Sequence, residues 1–215
     1  MTPIRFLAAA ALAALAAACS DIGAPLRDDA YEYQGTIGDE TVAFRWPADR
    51  LPVRIWAEDS LGMPAKVEAA LAAWRPAALY NEWTAALVAD SSEADIIVRV
   101  SPVPVKTGFR RLALESLRPE CEGVTDYGEI GEDLRVALPI RVTVQTRLPG
   151  AAGLDACLAL TTTHEIGHAF GILRHSPDPE DIMFGDPTAA APSEADLGTL
   201  ELVYHRPANL TPTGR

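Results

Sequence analysis

Three of the four histidines in this chain stand within twelve residues, at His164, His168 and His175, and this cluster constrains the fold more than any other feature of the sequence. His164 and His168 are four apart, which on an α-helix sets both rings on one face about one turn apart. The helix must then end, because a third ring reaches the first two only if the chain doubles back. Gly171 suits that end, since glycine takes up a positive φ without steric cost. The chain therefore needs a helix over 154–171, a tight turn at Gly171, and a return segment carrying His175. Two imidazole nitrogens at this spacing suit one Zn²⁺ at about 2.0–2.1 Å each; a third His completes three protein ligands and leaves the fourth position open, as in catalytic rather than structural zinc sites. Glu165 follows the first His and is placed to take a proton from a water that the metal acidifies. Arg174 cannot stand in as a ligand, because a guanidinium has no lone pair to offer.

The flanking sequence supplies elements to carry this segment. Residues 51–57 and 139–146 alternate apolar with polar residues, and 95–100 are rich in β-branched residues, so three strands are expected. Pro64 suits a first helical turn, and Val67, Leu71, Trp74 and Ala78 recur at helical spacing, giving a helix over 64–80. Ser193 to Tyr204 places Leu197, Leu200, Val203 and Tyr204 on one helical face, with Pro207 as a stop. The order strand, helix, strands, helix, helix predicts an α+β fold, a sheet backed by helices. Residues 101–137 read as irregular. Their acids Glu115, Glu120, Glu122, Asp126, Glu129, Glu132 and Asp133 offer oxygens of the kind Ca²⁺ takes, but with no ligand-loop spacing, and the other reading is a solvated acidic loop. Trp46, Trp56, Trp74 and Trp83 are expected in the core and His205 on the surface. Thr161, Thr162 and Thr163 either line a cleft or pack the helix. Asp178 and Asp181 are expected to order the segment after His175 through local backbone hydrogen bonds.

The run from His164 to Met183 resembles the zinc signature of metzincin metallopeptidases, and of the matrixins among them. The nine residues from His175 to Met183 keep matrixin spacing, and the last helix resembles the family's C-terminal helix. The resemblance implies a catalytic domain over 43–207 with a twisted mixed sheet, an active-site helix, a Met-turn and a C-terminal helix. It implies zinc held by His164, His168 and His175, with Glu165 as general base and Met183 as an apolar floor that binds no metal. The implied activity is hydrolysis of peptide bonds in a protein or peptide substrate. Three departures stand out. The third His falls one residue later than usual, a one-residue insertion at Arg174; Gly185 occupies a position where some metzincins carry Tyr; and no cysteine-switch segment is visible. Phe184 to Pro187 would begin the wall of the pocket that receives the residue after the scissile bond.

The first 18 residues combine Arg5, an apolar run from Phe6 to Ala18 and small residues before Cys19. The run is shorter than the roughly 20 apolar residues of a membrane span, and the pattern is that of a secretory signal. The break resembles a bacterial lipobox, with Cys19 as the lipidated first mature residue, although Ala16 stands where Leu is usual; plain cleavage after Ala18 is the alternative. Residues 19–42 are expected as a tether and 208–215 as a tail. Export would place the chain in the bacterial cell envelope on a lipid anchor, or otherwise in the periplasm or medium. There, Cys121 and Cys157 form an even pair and a disulfide candidate, with two buried thiols as the other reading. A net charge of −12 disfavours nucleic-acid partners. Two other functions remain compatible with these residues: a zinc-containing lipoprotein that binds a partner without catalysis, and a zinc hydrolase of cell-wall peptide amides.

Overall fold

The computed structural model describes residues 30–102, 121–146 and 153–213. The expected export signal, Cys19, Glu115 and Glu120 lie outside these residues. In chain order the strands are β1 (Gly35–Ile37), β2 (Glu40–Val42), β3 (Val53–Ala57), β4 (Ala85–Leu87), β5 (Ile96–Pro102), β6 (Cys121–Asp126), β7 (Arg135–Val136), β8 (Ile140–Thr146) and β9 (Thr211–Pro212). The helices are α1 (Met63–Trp74), α2 (Leu154–Ala169) and α3 (Glu194–His205).

Five strands form one mixed sheet in the order β4-β3-β5-β8-β6. β4, β3, β5 and β8 run parallel, and β6 pairs antiparallel with β8 at the end of the sheet. The two-residue period of an extended strand decides which residues are buried. Val53 and Ile55 of β3, Ile96 and Val98 of β5, and Ile140, Val142 and Val144 of β8 share the covered face. That face packs against α1 and α2, which also pack against each other. The fold is α+β. Met63, Val67, Ala70 and Trp74 are the buried residues of α1. On the opposite sheet face Trp56 is only half-buried, with the Arg99 guanidinium 5.9 Å from its ring centroid, so it does not join Trp46, Trp74 and Trp83 in the core.

Several expectations are corrected. α1 ends at Trp74 rather than near residue 80, and a 3-10 turn follows over Arg75–Ala77; Pro76 has no N–H with which to continue the α-helical ladder. Residues 101–137 are not wholly irregular, since they contain β6 and β7. β6 lacks an apolar alternation because it is an edge strand: Glu122, Val124 and Asp126 face solvent, and Cys121, Gly123 and Thr125 face inward. Its pairing with β8, from Cys121↔Thr146 to Asp126↔Arg141, holds it in place. The packed body also extends beyond 43–207. β1 and β2 form a hairpin within the expected tether, Tyr33 and Val42 are buried, and β9 in the expected tail pairs with β7. His205 is half-buried, with Nε2 2.9 Å from Glu82 Oε1. No helix among the described residues is long and apolar enough to cross a membrane.

Candidate metal centre

α2 brings the first two histidines together and is itself almost wholly enclosed from Thr161 to Ala169. Thr162 and Thr163 turn their hydroxyls back to Leu158 O and Ala159 O, at 2.7 and 2.9 Å, and so pack the helix; Thr161 lines the cleft. The helix stops as the sequence requires. Gly171 has φ +115°, and its N–H donates to His168 O at 2.8 Å. A Cβ there would overlap the carbonyl oxygen of Phe44, so no other residue fits without displacing backbone. The chain then returns past Leu173, whose N–H donates to Tyr33 O at 2.8 Å, and delivers His175.

The three rings converge, with centroid separations of 4.7, 5.2 and 5.1 Å. One nitrogen from each lies within 4.8 Å of the others, and among the described residues no other group of three or more His, Cys, Asp or Glu side chains does so. The acids proposed for Ca²⁺ therefore do not assemble among these residues. The donor atoms are fixed by backbone carbonyls. His164 Nδ1–H donates to Ile182 O at 2.6 Å and His168 Nδ1–H to Ile172 O at 2.5 Å. A carbonyl only accepts, so both Nδ1 atoms carry the proton and both Nε2 atoms carry lone pairs. Those Nε2 atoms stand 3.1 Å apart. Two facing lone pairs repel unless a cation lies between them, and two ligands on one tetrahedral ion with bonds of about 2.05 Å sit about 3.3 Å apart. The donor set thus fits a divalent ion of the zinc type. A proton does not serve instead: burial and the neighbouring His164 hold the His168 pKa down at about 3, and burial lowers that of His164 as well.

Met183 is fully buried beneath α2, so close to Gly167 that a Cβ there would lie 2.5 Å from its sulfur. Its turn is closed by Ser176 N–H to Met183 O at 2.8 Å and Phe184 N–H to Asp181 O at 3.2 Å. Asp178 accepts from Glu180 N–H at 2.9 Å, the local bond expected, whereas Asp181 accepts instead from the hydroxyls of Ser176 and Ser193. The main organiser is Asp196, which the sequence reading passed over. It caps α3 through Ser193 and accepts the N–H groups of Ile182 and Met183, at 2.8 and 3.3 Å, and the Tyr31 hydroxyl at 2.7 Å. Its signal was the Ser193-x-x-Asp196 capping-box spacing.

His164, His168 and His175 border an open cleft of about 1130 Å³, lined also by Glu165, Arg174, Gly185 and Asp186. Its far wall is β6. Glu165 is buried, which raises its carboxyl pKa to about 7 against the lowering effect of a hydrogen bond from Thr125. Tyr127, just past β6, donates its hydroxyl to His168 O at 2.6 Å. Cys121 and Cys157 are disulfide-bonded, with Cα atoms 5.9 Å apart, and join β6 to the start of α2. Thr125 and Tyr127 left no trace in the motif, since each meets its partner across some 40 residues of chain. No family model matches the chain, and no curated protein matches it.

Proposed function

We propose that this chain is a zinc-dependent endopeptidase of matrixin-like fold, exported and anchored through a lipid on Cys19. One observation carries the reading: two histidines whose Nδ1 protons are committed to backbone carbonyls turn their Nε2 lone pairs on one point, beside a third His, in a cleft that also holds a buried carboxylate. A structural zinc site would not require Glu165, and its burial opposes keeping a carboxylate there without a task. Three protein ligands also leave a coordination position for a reactant.

When bound, zinc supplies Lewis acidity, which acidifies water and polarises a carbonyl. The protein's own residues do the rest. Glu165 takes the proton from the attacking water and delivers it to the departing amine nitrogen. β6, the last strand of the sheet, borders the cleft, and an extended peptide laid along its free edge would present its backbone for strand addition. Met183 packs directly under the ligand helix, against Gly167, and fixes the height of that helix.

The deciding experiment is cleavage of a mixed peptide library by a soluble Ser20–Arg215 chain loaded with zinc. Glu165→Ala should keep stoichiometric zinc and lose about 10²–10⁴-fold in rate. A Glu165→Ala protein that cleaves as fast as wild type refutes the general-base role. A folded, zinc-loaded wild type that cleaves no peptide refutes the endopeptidase reading.

A further inference from the structure

The inward face of β6 is shaped around one side chain of α2. Thr125 Oγ1 donates to Glu165 Oε2 at 2.6 Å and also lies 3.1 Å from Glu165 O. Two residues earlier on the same face, a Cβ at Gly123 would overlap the Glu165 carboxylate. The strand thus offers a donor at one position and an absence of side chain at the next inward position, and the carboxylate occupies both. β6 is held to α2 on either side of this seat, by the Cys121–Cys157 disulfide and by the Tyr127 hydroxyl on His168 O. Neither tie involves Glu165, so the strand's position does not depend on the seat it forms.

A glutamate side chain has three rotatable bonds, and burial alone does not choose among its rotamers. The ring N–H groups of its α2 neighbours His164 and His168 do not aim the carboxylate, because they are committed to Ile182 O and Ile172 O. We propose that Thr125 is a positioning residue: its hydroxyl, together with the space left at Gly123, sets the rotamer in which Glu165 meets the attacking water. This rests on the reading of Glu165 as a general base. Proton transfer needs heavy atoms at about 2.6–3.2 Å, so a displaced carboxylate loses rate without losing substrate affinity.

The test uses the zinc-loaded protein and a peptide that wild type cleaves. Thr125→Val keeps the shape and removes the donor; kcat should fall about 10–100-fold with KM little changed and zinc content intact. Thr125→Ser restores the donor and should recover most of that loss, which a packing defect would not allow. Gly123→Ala keeps the hydroxyl but fills the seat, and should lower kcat in the same way. A readout independent of catalysis comes from the metal-free protein: Thr125→Val and Glu165→Ala should be non-additive by about tenfold or more in the unfolding equilibrium constant. Additive effects overturn the bond. Coupling with an unchanged kcat in Thr125→Val overturns the positioning role. A wild type that hydrolyses no peptide is a different failure and overturns the function on which the inference rests.

Discussion

Replacing Gly167 by alanine sets helix propensity against packing under the metal ligands. Gly167 lies inside α2, where alanine would ordinarily gain about 1 kcal/mol. Its position is, however, in contact with the turn that carries Met183. A Cβ there would sit 2.5 Å from Met183 Sδ and 2.7 Å from Trp74 Cζ2, both closer than carbon and sulfur tolerate. Neither neighbour can yield easily. Trp74 is fully buried with its indole N–H held by Thr163 O at 2.8 Å, and Met183 is fully buried with its backbone held by Asp196 and Ser176. Overpacking usually costs about 1–3 kcal/mol, and two immobile neighbours put this site at about 3. Subtracting the helical gain leaves about 2 kcal/mol of net destabilisation. For a domain of this size that lowers Tm by about 4–8 °C. The assay is thermal unfolding of the metal-free protein followed by circular dichroism, so that bound metal does not contribute to the stability. Zinc affinity should also weaken, because a displaced Met183 pulls on Ile182, whose carbonyl orients His164. A Gly167→Ala protein that melts at or above the wild-type temperature would show that the turn and α2 are not in contact as described.

Two further outcomes follow from the same geometry. His175→Ala should weaken zinc binding by more than the roughly 10–100-fold typical of losing an indirect partner, measured by competition with a chelator, since it removes one of three converging donors; unchanged affinity would mean that a different group completes the site. Replacing both Cys121 and Cys157 by alanine opens a loop spanning 36 residues of sequence separation and should cost about 4 kcal/mol, read as a lower urea midpoint with a steeper slope, because the unfolded chain is released to expand; an unchanged midpoint would show that β6 is held by its backbone pairing with β8 alone.

The parts of the molecule legible in the sequence are those whose physics is local. A spacing of four places His164 and His168 on one helical face wherever that helix sits, and a residue free to adopt φ +115° is required wherever the chain must turn back at once, so α2 and its end at Gly171 could be read directly. β3 and β8 were legible for a similar reason, because burial of one sheet face imprints a period of two on each strand, and β5 through its run of β-branched residues. β6 carries no such imprint. It exposes one face and spends the other on Cys121, Gly123 and Thr125, and it is a strand only because β8 pairs with it. Distance in sequence also hid Asp196 and Tyr127, which look like ordinary polar and aromatic residues until the fold sets them against the backbone before Met183 and the carbonyl of His168.

The sequence by itself therefore determined the donor set, the helix that carries two of its members and the turn that returns the third, because these depend on intervals of a few residues. Only the tertiary structure decided which nitrogen of each buried ring is free, which strand walls the cleft and what seats Glu165. Those outcomes depend on a backbone carbonyl, a strand edge and a hydroxyl brought in from remote parts of the chain, and no local pattern records contacts that form only when the sheet and α2 pack together.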